Sequence, residues 1–168
     1  MDQVIRIGVQ WLHVTAGVLW IGGGFYTIFV QLPALAAMAP AARGPAMAAF
    51  APRQVRYLLR VAEATLVLGF LNLITSGRAQ QLAAPLESRW GIVILVGIIL
   101  ALGLYGIVRG AVKPLIERLL AAGARAATGD QGAAAEMGTL LPRIKRLGYV
   151  QLVIGVAIIL AMVTARFS

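Results

Sequence analysis

Residues 7–30, IGVQWLHVTAGVLWIGGGFYTIFV, run for 24 positions without an Asp, Glu, Lys or Arg. A helix rising about 1.5 Å per residue needs roughly 20 residues to cross a ~30 Å hydrocarbon layer. This stretch is long enough, and it shows none of the two-residue alternation of a barrel strand. It is also longer than the apolar core of a signal peptide, its start carries both Asp2 and Arg6, and no small-x-small cleavage site closes it. It therefore reads as a retained membrane helix.

Three further stretches have the same character: residues 57–76, 90–108 and 147–165. The second contains Arg60 and Glu63; the other two contain no charge. The composition agrees. The 168 residues are 60% hydrophobic and 12% charged, whereas soluble domains run near half apolar and about a quarter charged. Too little polar surface remains to cover a water-soluble globule, so a soluble enzyme or an ordinary DNA-binding domain is disfavoured. The expectation is an all-α, antiparallel four-helix transmembrane bundle, forming one integral membrane domain over residues 1–168.

The net charge of +9 has a topological explanation. One set of ends carries Arg6, Arg78, Arg89 and Arg166. The other carries Arg43, Arg53, Arg56 and Arg60 in the first loop and adjoining helix start, and Arg109, Lys113, Arg118, Arg125, Arg143, Lys145 and Arg146 in the third. Cytoplasmic loops retain Lys and Arg, so both termini are expected outside and the two basic loops in the cytoplasm. A multi-pass protein of the cytoplasmic membrane follows, with the bilayer as its main partner and no nucleic acid.

Prolines and glycines mark the expected boundaries. Pro33, Pro40, Pro45 and Pro52 break up the first loop, whose middle (46–59) reads as an interfacial helix. Gly77 stands where a helix C-terminal glycine belongs, and residues 85–88 read as the start of the third helix. That helix is expected to continue past Pro114 with Leu115, Ile116, Leu119 and Leu120 as an apolar stripe, turning at residues 128–132. Gly106 and Gly110, the series Ala157, Ala161 and Ala165, and the run Gly22-Gly23-Gly24 read as small-residue contacts within the bundle.

Polar residues inside hydrocarbon need a partner or a task. They sort into two layers. In the outer one, His13 lies roughly 9 Å below the start of its helix, with Gln10, Gly17 and Trp20 on the same face. Asn72, Thr75, Trp90, Met162 and Thr164 lie at similar depth. An imidazole beside glycines suits a b-type haem, and His with Met suits Cu(I). A purely structural His13 bonded to Asn72 or Thr75 is the alternative. The inner layer holds Arg60, Glu63, Tyr105, Arg109, Tyr149 and Gln151. There, Glu63 paired with an Arg makes a structural clamp, and left unpaired it makes a proton carrier. With no cysteine, disulfides, thiolate metal sites and Cys nucleophiles are excluded. No Ser-His-Asp set, HExxH or phosphate loop is present, and no catalytic residue is assigned.

The segment Trp11-Leu12-His13-Val14-Thr15-Ala16-Gly17-Val18-Leu19-Trp20-Ile21-Gly22-Gly23 resembles the first helix of the CopD-like membrane proteins. Residues 69–77 resemble the end of their second helix, and residues 146–155 the beginning of their last. The layout is also similar to the HemJ-type protoporphyrinogen oxidases, although residues 91–108 lack the Lys of that family and Tyr105 stands where some relatives carry His. The resemblance implies a haem or copper task centred on His13, with Gly17, Trp20, Asn72 and Met162 around it and electron transfer as the activity. A homodimer or a membrane redox partner would accompany it. A non-catalytic membrane subunit is the second expectation, and a HemJ-like oxidase the third.

Overall fold

The computed structural model describes residues 3–168; Asp2 lies outside them. Among the described residues the chain is helical and contains no strand. Helix α1 (Gln3–Tyr26) passes through a wide π-turn (Thr27–Gln31) into the short α2 (Leu32–Ala37). Helix α3 (Pro40–Thr75) returns. A connection of two 3₁₀ turns leads to α4 (Arg89–Ile107), a second π-turn (Val108–Val112) and α5 (Lys113–Ala127). Helix α6 (Gln131–Arg166) completes an antiparallel bundle of four rods, each long and apolar enough to cross a membrane. One end holds Gln3, the 76–88 connection and Arg166, here the terminal end; the opposite end carries most of the Lys and Arg, here the basic end.

The boundaries have local causes. Gly77 adopts φ +76° and Gly129 φ +94°, backbone conformations that L side chains resist, and both stand where a helix has just ended. The Ser88 hydroxyl accepts from Gly91 N at 3.0 Å and the Asp130 carboxylate from Ala133 N at 3.0 Å. Each is an N-cap that satisfies an otherwise orphaned donor. At the terminal end, Arg6 donates to Ser76 O at 2.9 Å, and the Arg78 guanidinium lies 5.5 Å from the Trp90 ring centroid.

The first loop differs from the sequence expectation. Residues 46–59 are not a separate interfacial helix: α3 is continuous through Pro45 and Pro52 for 36 residues. Alanines at 46, 48, 49 and 51 have the highest helix propensity, which offsets the interior prolines. Arg43 folds back to donate to Met38 O (2.8 Å) and Ala36 O (2.7 Å), closing the corner between α2 and α3. The two π-turns have a shared cause. Each ends two residues before a proline, Pro33 or Pro114. A proline ring collides with the carbonyl four residues back, and a widened turn makes room for it.

At the centre, each long rod contributes one side chain to the core: Trp20, Ala62, Leu104 and Ile158. Glycines set how closely the rods approach. A methyl group at Gly155 would stand 3.2 Å from Ile21, and one at Gly148 would collide with Ile28 at 2.5 Å. Gly106 and Gly110 have nothing within 4 Å of where a Cβ would lie. That pair is not an internal contact, contrary to expectation, because it faces out of the bundle. Ala161 and Ala165 are buried as expected. The α5 stripe also turns inward, with Leu119 only 3% exposed.

Candidate functional site around His13

His13 projects from α1 into the seam with α3. Its imidazole packs against Gly69: a Cβ there would stand 2.9 Å from Cε1 and 3.3 Å from Nδ1. Only glycine leaves room for the ring. One turn further along α1, a Cβ at Gly17 would stand 3.8 Å from the Thr65 methyl group, and Trp20 is buried in the core. These three expected residues therefore share one face, while Gln10 is exposed.

The ring is held by one bond. Its Nδ1 lies 3.1 Å from the backbone oxygen of Thr65. A carbonyl can only accept, so Nδ1 carries the proton and Nε2 keeps its lone pair. No protein group among the described residues bonds to Nε2. The partner is not the expected Asn72 or Thr75: the Thr75 hydroxyl donates to Asn72 O at 3.2 Å within α3, so its proton is used locally. Thr65 likewise directs its hydroxyl to Val61 O at 2.8 Å.

Met162 occupies a different seam. Its methyl group fills the space above Gly97, between α4 and α6, and it packs on the Trp20 core. Thus His13 lies between the first and second rods, and Met162 between the third and fourth. Trp90 is buried at the head of α4 under Arg78. Among the described residues no group of three or more His, Cys, Asp or Glu side chains converges on one point.

The inner layer is simpler than expected. The Tyr105 hydroxyl donates to Glu63 Oε1 at 2.8 Å, joining α3 to α4. No ion pair within 4 Å links Glu63 to Arg60 or Arg109 among the described residues, and Tyr149 is 47% exposed on α6. Arg60, Glu63 and Arg109 all lie at exposed positions, and Arg109 interacts with the Tyr105 hydroxyl instead of pairing with Glu63.

A polar feature not foreseen lies beyond the apolar spans, between α5 and α6. Glu136 accepts from Arg118 (2.9 Å) and Arg125 (2.6 Å), and Arg125 also reaches Asp130 at 3.6 Å. The two guanidiniums hold the Glu136 carboxyl below its ordinary value. The charges were visible in the sequence; their convergence depends on the 128–130 turn.

No family model, curated protein or solved structure matches the chain. The chemistry of the donor set is thus the test of a haem or copper ion here. His13, with Nδ1–H anchored to a carbonyl and a bare Nε2, has the tautomer that metal-binding histidines adopt. The residues present fit one ligand position.

Proposed function

We propose that the chain is an integral membrane protein that handles redox or metal chemistry through His13, binding b haem or, as the second choice, copper. The observation that carries the reading is the Nδ1–Thr65 bond, which orients the ring and leaves Nε2 with its lone pair free. The resemblance of residues 11–23 to the CopD-like first helix points the same way. When bound, haem or copper would supply one-electron redox chemistry. His13 would hold it through Nε2; Gly69 leaves room for the ring, and the Thr65 carbonyl orients it. Because Met162 lies in the other seam, a second ligand would come from His13 of a second copy. In this reading the basic ends face the cytoplasm, where Lys and Arg are retained.

The test is an absorption spectrum with metal analysis on protein purified before and after haem or Cu(I) supplementation. A Soret band, or stoichiometric copper, that disappears in His13→Ala is the expected result. Absence of both after supplementation overturns the proposal.

A second reading is favoured by the close fit of the ring on Gly69: a non-catalytic membrane subunit in which His13 is a packing wedge. It predicts that His13→Ala lowers the melting temperature with no spectral counterpart.

A further inference from the structure

Where α6 enters the bundle from the basic end, its two faces differ. Gly148 and Gly155 turn inward against Ile28 and Ile21, and Leu152 is buried between them. On the opposite face Lys145, Arg146, Tyr149, Val150 and Val153 are exposed, and with the half-buried Ile154 they line an open groove of about 560 Å³. Their spacing of three and four residues puts them on one stripe of the helix. Tyr149 stands about 4.5 Å and Val153 about 10 Å along the axis from Arg146. The stripe therefore passes from two cations, through a phenol, to bare aliphatic surface within two turns. Val153, at its apolar end, is 71% exposed.

Among the described residues, the side chains of Lys145, Arg146 and Tyr149 have no hydrogen-bond or ion-pair partner. The acids nearest this end are engaged elsewhere. Glu63 accepts from Tyr105, Glu117 pairs with Lys113, and Asp130 and Glu136 pair with Arg125 and Arg118. No carboxylate of the chain is left to face the two cations, so their counter-charge comes from outside it. Arg53 on α3 is a contrast: it is exposed at the same end, but its guanidinium donates to Ala49 O at 2.7 Å.

The occupant's chemistry follows from the order of the groups. A small anion would satisfy the cations and leave the apolar length of the groove bare. An anionic head joined to a hydrocarbon chain matches both parts. A phosphate suits the head, since a guanidinium offers it a two-pronged fork, an ammonium a point charge, and a phenol a further donor. Tyrosines gather at the level of lipid headgroups, and basic pockets on membrane helices hold such heads. We infer that this groove on α6 binds one anionic phospholipid from the leaflet at the basic end, its phosphate held by Lys145, Arg146 and the Tyr149 hydroxyl and an acyl chain lying over Val150, Val153 and Ile154. The site is independent of any group held by His13.

Native mass spectrometry of the detergent-purified protein counts the lipids it retains. Phosphatidylglycerol and phosphatidylcholine with identical acyl chains are titrated in separately. On the wild type, one phosphatidylglycerol should be retained at about ten-fold lower concentration than phosphatidylcholine. In the double variant Lys145→Gln, Arg146→Gln that preference should vanish. The double variant Arg53→Gln, Arg56→Gln removes the same charge from α3 and should keep it. Glycerol 3-phosphate, the head without its chains, should not displace the lipid at equal concentration. Equal retention of the two lipids by the wild type overturns the proposal. So does an equal loss of preference in both double variants, which would mark a general attraction of the basic surface. Displacement by glycerol 3-phosphate overturns it too, making the site one for a free phosphate ester. The wild-type comparison stands even if a variant does not fold, and His13→Ala should leave it unchanged.

Discussion

The seam between α1 and α3 and the seam between α4 and α6 use the same device with different contents. In each, a glycine on one helix receives a side chain from its neighbour: Gly69 takes the His13 ring, and Gly97 takes the Met162 methyl group. A thioether chain has several rotatable bonds and adapts to its slot. An imidazole is rigid and brings an N–H that must find an acceptor, which it does at Thr65 O. The apolar seam is therefore held by shape alone, whereas the polar seam is held by shape and by one directed bond. A seam that needs only shape tolerates repacking; one that needs a bond does not.

The largest expected effect breaks the polar seam. In Gly69→Ala the new methyl group would meet a rigid ring at 2.9 Å, and overpacking of this kind costs about 1–3 kcal/mol. The melting temperature in detergent should fall accordingly, and any spectral signal at His13 should shift with it. Adding His13→Ala should return most of the loss, since two residues in contact are not additive. Full additivity would show that the ring does not rest on Gly69.

Next in size is Tyr105→Phe. It removes the donor to Glu63 that ties α3 to α4; because this bond is exposed, the melting temperature should fall by less than in Gly69→Ala. Glu63→Gln should cost no more, and neither should alter the spectrum at His13. Loss of an activity without loss of stability in Glu63→Gln would instead make this carboxyl a proton carrier.

The apolar seam should give less. Gly97→Ala places a methyl group against Met162 Cε, the far end of a flexible chain that can swing aside. A loss below about 1 kcal/mol is expected, well under that of Gly69→Ala, in keeping with methionine as an adaptable filler. Equal losses at the two glycines would remove the distinction between the seams.

The smallest effect is pH-dependent. The carboxyl of Glu136 is held below its ordinary value by Arg118 and Arg125. A depressed folded-state value means that the unfolded chain takes up the proton first as pH falls. The stabilisation is thus complete above the ordinary value of 4.5 and is lost as pH drops through the lower, folded-state value. Melting curves of wild type and Glu136→Gln should differ slightly at pH 7 and converge in acid. Added salt at pH 7 should narrow the same gap.

What could be read in advance follows from which interactions involve side chains. Four charge-free or nearly charge-free stretches can be covered only by lipid, so the four rods were legible from composition. His13 stood out because an imidazole in such a stretch needs a partner. That partner was not legible, because Thr65 contributes a backbone oxygen and every residue has one. Gly69 carried a signal, a glycine among Val, Leu and Phe, but only the antiparallel register of α1 and α3 puts it under the ring. The prolines of the first loop read as breaks, and alanine propensity carried the helix through two of them. Pro33 and Pro114 within or beside apolar stretches were the available mark of the π-turns.

The spacing of the outermost charges has a consequence for the bilayer this bundle fits. Arg89 and Arg109 stand 20 residues apart on one rod, and Arg146 and Arg166 stand 20 apart on the next. Each interval is about 30 Å at 1.5 Å per residue, the thickness of an ordinary hydrocarbon layer. These two rods thus grip both faces of the membrane with little slack. The first rod has no such stop at the basic end: between Arg6 and Arg43 the chain carries no charge. A thicker or thinner bilayer therefore strains the second half of the chain first, at a fraction of a kcal/mol per Å of mismatch.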